Sequence, residues 1–358
     1  MPTLPADRLY ALAHRIVRAT GSRESEAHEV AEHLVGANLT GHDSHGLGML
    51  PDYARMAHEG LLVPNQTLEV AVDFGAVLVL DGRRGFGQAM AAEAMRRGCA
   101  RAAEVGAAVV ALRNTCHVGR IGHYGEQCAA AGMLSVHFVN GADHPPWQAP
   151  YGCSDPRLGT NPFCAAVPGA GGAGGEPAVL LDMATSAIAF GKARVARNKG
   201  VPVPPGALID AEGRPTTDPA PLVDRHEGAL LAFGLHKGSG LAVLCELLGG
   251  ALTGGPLIHH PQRGSIINNM LSIVIDPARL GDPARLAAEV EATKAWIKAS
   301  PPAPGFEEVL LPGEPEARAR AVRSRDGIPL DAKSLADILA AGESLGVPRA
   351  ELDGILGA

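Results

Sequence analysis

AAVVALRNTCHVGRIGHYGEQCAAA, residues 107–131, carries three patterns in succession. Residues 107–112 are an apolar run of strand length, a polar stretch with glycines follows, and residues 121–131 return to helical spacing. Strand, turn and helix in that order form the unit of an α/β domain, and the C-terminal end of a strand is where such folds place ligands. Asn114, His117, Gly119, Arg120, Gly122 and Tyr124 fall at that position. His117 is a candidate catalytic or substrate-binding group, and Arg120 is suited to meet a carboxylate. Ordinary loop polarity is the competing reading, because many polar turn residues catalyse nothing.

Outward from this stretch, apolar runs at 76–80, 134–139, 163–167, 178–181 and 271–275 alternate with helical patterns near 88–104, 185–198, 238–252 and 283–299. Residues 6–58 differ: Leu9, Leu12, Ile16 and Val17 make one helical stripe, and Val30, Leu34, Val35 and Leu39 another, with Ser22 as a candidate cap. Residues 300–316 (SPPAPGFEEVLLPGEPE) are proline-rich and read as a surface crossing, after which 335–345 regains helical periodicity. The expected layout is a helical domain from residues 1–70 with 316–358, and an α/β domain over 71–315.

The 358 residues are 46% apolar and 19% charged, which excludes a disordered chain or a coiled coil, and no long apolar run marks a membrane span. Thirty-one Lys and Arg against 38 Asp and Glu give a net charge of −7, so no general attraction to nucleic acid or anionic lipid is expected. Residues 1–10 show no signal or transit pattern, and the expected compartment is the cytoplasm. The six cysteines contain no C-x-x-C pair, which disfavours a disulfide framework and a structural zinc site. Glycine and proline together, 45 and 28 residues, suit sites built from closely approaching backbone.

Gly169, Gly171 and Gly174 match the G-x-G-x-x-G spacing of a dinucleotide fingerprint, but the apolar run AVLLD follows where the mechanism needs a helix. The stretch reads instead as a surface hairpin loop. His42, Asp43, Ser44 and His45 concentrate ionisable groups beside Gly46 and Gly48; His45 or His42 is suited to proton transfer, with Ser44 and Asp43 orienting it. Helix capping by Asp43 and Ser44 is the alternative. Asp182 ends an apolar run, and Thr185 and Ser186 open an expected helix whose N-terminus suits a phosphate; His236, Lys237 and Gly238 make a second such grip. His42 with His45, and His259 with His260, match no H-E-x-x-H pattern, so no metal is expected.

Seven stretches, LTGHDSHGLGMLPDY, NTCHVGRIGHYGEQ, APYGCSDPRLGTNPF, LDMATSAIAFGKARVARNKG, PTTDP, HKGSGLAVLCELLGGALTGG and LLPGEPE, occur in one order along nearly the whole chain. Together they resemble the type 2 malate/L-lactate dehydrogenase family, whose members include ureidoglycolate, sulfolactate and diketogulonate enzymes and piperideine-carboxylate reductases. The DSHGLGM variant is most similar to members that act on hydroxycarboxylates. The resemblance implies a homodimer that binds NAD or NADP on a mixed-sheet α/β domain that is not a Rossmann fold, beside a helical domain from both termini. It implies His45 as the acid/base, Asp182 as its support, and Ser44 and His117 as substrate-holding groups. It also implies cofactor contacts from Asn161, Asp182, Met183, Ala184, Thr185, Ser186, His236, Lys237, Gly238, Pro312, Gly313 and Glu314.

Three positions depart from the family pattern. Met49 stands where many members carry an arginine for the substrate carboxylate, which leaves Arg120 as the expected substitute; Ser239 replaces a common aromatic and Cys153 a glycine. An apolar Met49 favours a bulkier or more apolar 2-oxo acid. The implied activity is interconversion of a 2-hydroxy acid and a 2-oxo acid, a small-molecule reaction. Competing readings are a cyclic imine reductase on the same scaffold, a metal-dependent hydrolase built on His42 and His45, and a non-catalytic binding protein.

Overall fold

Leu9, Leu12, Ala13, Ile16 and Val17 recur at three- and four-residue spacing and are all buried, so the first helix turns a single face inward. The computed structural model describes residues 3–169 and 174–357. Its N-terminal part comprises β1 (Thr3–Leu4), α1 (Ala6–Ala19), α2 (Glu24–Leu39) and α3 (Leu50–His58). The sheet region follows with β2 (Glu69–Phe74), β3 (Val77–Asp81), α4 (Gly87–Val105), β4 (Ala107–Cys116), α5 (Gly122–Ala130), β5 (Leu134–Ala142), β6 (Phe163–Pro168) and β7 (Pro177–Met183). A smaller unit contains α6 (Phe190–Lys199), β8 (Leu208–Ile209), β9 (Pro215–Thr216), α7 (Ala220–Arg225) and β10 (Ala229–Leu230). The chain ends through α8 (His236–Cys245), β11 (Ile267–Ile275), α9 (Pro283–Lys298), α10 (Glu314–Asp326), β12 (Ile328–Pro329), α11 (Ala332–Ser344) and α12 (Arg349–Leu356).

The main sheet is mixed, in the order β2-β3-β4-β11-β5-β6-β7, and only β3 and β4 run parallel. Strand β11 enters between β4 and β5, pairing Leu271 with Ala111 on one side and Phe138 on the other. A strand hydrogen-bonded on both edges and covered on its faces has no place for polar periodicity, and β11 reads INNMLSIVI with nearly every residue buried. Helices α4 and α5 bury Met95 and Tyr124 against Val110, Leu112, Met270 and Val274. A second core joins the chain ends: Leu9, Leu34 and Tyr53 pack with Ile338, Leu339 and Leu352.

The expected helix over 185–198 starts only at Phe190. Residues before it are extended, because Ala187 N–H donates to Leu231, Phe233 N–H donates to Thr185, and Ser186 bridges to Ala232. No helix N-terminus therefore follows Asp182, and the phosphate grip expected there is not built. Ser22 is not the cap of α2 either: Arg23 occupies that position and the Ser22 hydroxyl meets Thr20 at 3.1 Å. Helix α10 was not expected, since it buries no residue and so carries no apolar stripe. Its signal is electrostatic, with Glu314 and Glu316 in the first turn and Arg323 and Arg325 in the last. Gly171 lies outside the described residues; the β6 and β7 strands that flank the glycine-rich loop pair antiparallel.

Gly87 opens α4 directly beneath the end of β4. A Cβ there would fall 2.1 Å from the carbonyl oxygen of Cys116 and 2.5 Å from that of His117. Gly87→Ala should therefore cost about 1–3 kcal/mol of stability by overpacking. Urea denaturation with an unchanged slope measures it, and a midpoint equal to that of the parent chain would contradict the contact.

Candidate active site

The site starts where α2 ends. Asn38 donates to Asp43 Oδ1 at 2.7 Å and accepts from Leu47 N–H at 2.9 Å, folding residues 43–49 into two short 3-10 turns. Gly46 is required at this turn, because a Cβ would stand 2.0 Å from Asn38 Oδ1. Arg323 of α10 holds Asp43 at 2.6 and 3.0 Å. Asp43 thus anchors the turn, while Ser44 is the residue that touches the imidazole: its Oγ lies 2.9 Å from His45 Nδ1. His42 turns away to Glu316, at 3.3 Å.

His117 comes from the end of β4, where Val118 N–H donates to the buried Asn268 at 2.9 Å and Asn114 N–H donates to Asn269 at 2.7 Å. Its ring lies 5.6 Å from that of His45 at an interplanar angle of 18°. Tyr53 Oη is 2.7 Å from His117 Nδ1 and accepts from Gln88 Nε2 at 2.6 Å. With the amide hydrogen directed at the phenol oxygen, the phenol's own hydrogen is left for Nδ1, so His117 carries its proton on Nε2. Each imidazole has Nδ1 bound to the protein, which leaves both Nε2 atoms for a ligand.

These residues line a cavity of about 410 Å³, inside the usual range for a small-molecule site. Ser44, His45, Met49, His117 and Asn161 are brought together there, with Arg55 and Arg194 as its arginines. One wall is a stack of three rings: His144 on Trp147 at 4.2 Å, and Trp147 on Phe190 at 4.5 Å. Sequence reasoning missed this wall. Trp147 and Phe190 lie 43 residues apart and nothing local signals that they meet.

Burial dominates the electrostatics. Desolvation, then the neighbouring charge of His42, lowers His45 to about 4, although Asp182 pulls the other way. Desolvation and the proximity of His45 lower His117 to about 3. Both rings are therefore neutral near pH 7. Asp182 itself accepts from Gly122 N–H at 2.9 Å and sits 3.2 Å from Arg120 Nε; it acts on His45 through its charge, with no hydrogen bond between them among the described residues.

Arg120 does not line the cavity. Its guanidinium is buried between Glu126, at 2.8 Å, and Asp182, at 3.2 Å, so its charge faces a local carboxylate and a distant one and not the cavity, which corrects its expected role as the substrate's partner. The side chain of Asn161 is committed to Ala242 O, Glu246 Oε2 and Gly141 N–H. Met183 ends β7 and Ala184 follows it. The hydroxyls of Thr185 and Ser186 bond to Thr160 O and Ile188 O. At the start of α8, His236 and Lys237 are exposed and Gly238 N–H is taken by Phe233 O. Pro312 and Gly313 lie against Leu180 of β7, and Glu314 pairs with Lys298. Residues 182–186, 236–238 and 312–314 stand outside the cavity lining. Among the described residues, no three His, Cys, Asp or Glu side chains form a metal-ligating group.

Two neutral imidazoles with free Nε2 atoms, opening on a partly apolar cavity, define a site for moving a proton at a small polar substrate. The profile of the malate/L-lactate dehydrogenases matches residues 4–339. Hydroxycarboxylate dehydrogenase B of Escherichia coli O157:H7 is 47% identical over 351 residues, covering 97% of this chain and 95% of that protein. L-lactate dehydrogenase of Cupriavidus necator is 43% identical over 316 residues, covering 87% and 89%. A solved E. coli structure assigned to the malate/lactate dehydrogenases superposes with a TM-score of 0.94 at 45% identity, covering 100% of both chains. The chain belongs to the malate/L-lactate dehydrogenase family, and is an oxidoreductase acting on the CH–OH group of hydroxy acids.

An unfolded histidine protonates near pH 6.5, well above the lowered values of His45 and His117 in the fold. As pH falls, the unfolded chain takes up protons first, so the stability supplied by these neutral rings is complete above about pH 6.5 and declines towards about pH 4. Urea titrations across that window should show the decline, and His117→Gln should flatten part of it. An equal slope in the variant would mean that the ring is not held neutral.

Proposed function

We propose that the protein interconverts a 2-hydroxy acid and a 2-oxo acid with NAD or NADP, and that His45 exchanges the proton at the substrate oxygen. The observation that carries this reading is the pair of stacked imidazoles, each fixed at Nδ1, in a cavity large enough for a small acid. The apolar residues Val139, Ile121 and Pro162 offer non-polar surface of the kind a nicotinamide ring takes. A bound nicotinamide supplies or accepts the hydride at the substrate carbon.

The chain's residues account for the rest. In oxidation, neutral His45 withdraws the hydroxyl proton through Nε2 while Ser44 holds Nδ1. His117 donates from Nε2 to the same oxygen and fixes its direction. In reduction, the ring must first be charged, and a substrate carboxylate entering this buried space raises the proton affinity of His45. Asp182 adds to that effect through its negative charge. Asn161 at the cavity, and residues 182–186, His236 to Gly238 and Pro312 to Glu314 beyond it, are proposed to hold the cofactor.

Met49, packed against the core where it lines the cavity, together with the Trp147 and Phe190 wall, favours a 2-oxo acid with a bulky apolar side chain. Exposed Val243, Leu244, Leu247 and Leu252, on α8 and the turn after it, support pairing with a second copy of the chain. No helix among the described residues is long and apolar enough to cross a membrane.

Absorbance at the reduced-nicotinamide band tests the reaction, with pyruvate, phenylpyruvate, oxaloacetate and one cyclic imine offered alongside NADH or NADPH. Phenylpyruvate should outrank pyruvate, and His45→Ala should lower kcat by about 10² to 10⁴ while nucleotide binding survives. Turnover of the imine alone would replace this reading with imine reduction, and unchanged kcat in the variant would remove His45 from it. Sedimentation at assay concentration should give a dimer; a monomer would leave the apolar face of α8 unexplained.

A further inference from the structure

We infer that Arg194 receives the C1 carboxylate of the substrate, in place of the arginine that Met49 displaces; this rests on the 2-oxo acid reading above. A 2-oxo acid brings a full negative charge into a cavity whose histidines are neutral, and burying that charge without a cation is costly. Few cations can answer it. Arg120 lies outside the lining between Glu126 and Asp182. Arg55 lines the cavity but spends its guanidinium on Glu59, at 2.7 Å, and on the carbonyl of Gly264, at 3.0 Å. Arg194, half-buried, lines the same cavity and has no ion pair or side-chain hydrogen bond among the described residues.

Its position is set by the helix that carries it. Phe190 and Arg194 are four residues apart on α6, so they share one face, and Phe190 is locked by its stack on Trp147. Between them, Gly191 allows α6 to press on Ser44; a Cβ at that position would stand 2.4 Å from Ser44 Cβ. The same turn of helix thus touches the residue that holds His45 and carries the free guanidinium. On the α3 wall the lining includes the carboxylate of Asp52, which repels an anion and leaves the α6 side as the favourable one. A guanidinium offers two parallel N–H groups to one carboxylate, so Arg194 both neutralises the substrate and orients its carbonyl. The adjoining ring wall then receives the side chain.

Arg194→Met and Arg194→Lys test this with pyruvate, phenylpyruvate and oxaloacetate, all of which share the C1 carboxylate. For Arg194→Met, KM should rise about 10- to 100-fold for all three, with a smaller change in kcat and an unchanged KM for the nicotinamide nucleotide. Lysine should recover part of the loss, and added guanidinium should partly rescue the methionine variant, which a structural role would not do. A loss confined to oxaloacetate would place Arg194 at a distal carboxylate and overturn the assignment. Unchanged KM values would overturn it as well. Failure of the parent protein to turn over any of the three acids would instead sink the dehydrogenase reading itself, and this assignment with it.

Discussion

The insertion of β11 between β4 and β5 is the constraint on which the site depends. It is a non-local pairing, joining residues 267–275 to segments more than 120 positions earlier, and it brings two consecutive asparagines into the core. Asn268 accepts from Val118 N–H and donates to Asn140 O, while Asn269 accepts from Asn114 N–H and donates to Asn140 Oδ1. Buried amides of this kind are stabilising only while every partner is present; an orphaned one costs about 1–3 kcal/mol. The backbone on both sides of His117 is therefore fixed by side chains of a strand that arrives late in the sequence. Asn114 takes a positive φ of 54° at this point, which an asparagine tolerates better than most residues.

The same non-local character decides what the sequence reveals. Strand β4, the loop after it and helix α5 were legible because their signal is local: an apolar run, then polar residues, then helical spacing. His45, Ser44 and His117 were legible as chemistry-bearing groups, and the structure brings them to one cavity. Residues 185–189 were misread as helix, since nothing in LDMATSAIAF announces that Leu231 to Phe233 will pair with them. Arg120 was misread for a related reason. One of its carboxylates, Glu126, lies six residues away and was visible, but Asp182 is 62 residues away and reaches it only through the fold. Helix α10 escaped because periodicity reports burial, and it buries nothing; its charge gradient was the available signal. The ring wall of His144, Trp147 and Phe190 lies beyond local reasoning altogether.

A site built from neutral groups has a particular consequence for the chemistry. Desolvation keeps His45 and His117 uncharged, so the protein's own groups offer the cavity a base and a hydrogen-bond donor but no acid. The fold itself keeps most of its charge out of reach: Asp43 is bound by Arg323, Asp182 by Arg120, and Arg55 by Glu59. Charge at the reacting centre must then come from the ligand. On the proposed reaction, a carboxylate beside His45 would stabilise the protonated ring, and an oxygen gaining negative charge during reduction would stabilise it further, so the acid would form only when there is something to protonate. This coupling needs the carboxylate to be held on the side away from Asp52, because an anion placed next to that residue would be expelled. The walls of α3 and α6, one acidic and one carrying a free arginine, supply that asymmetry.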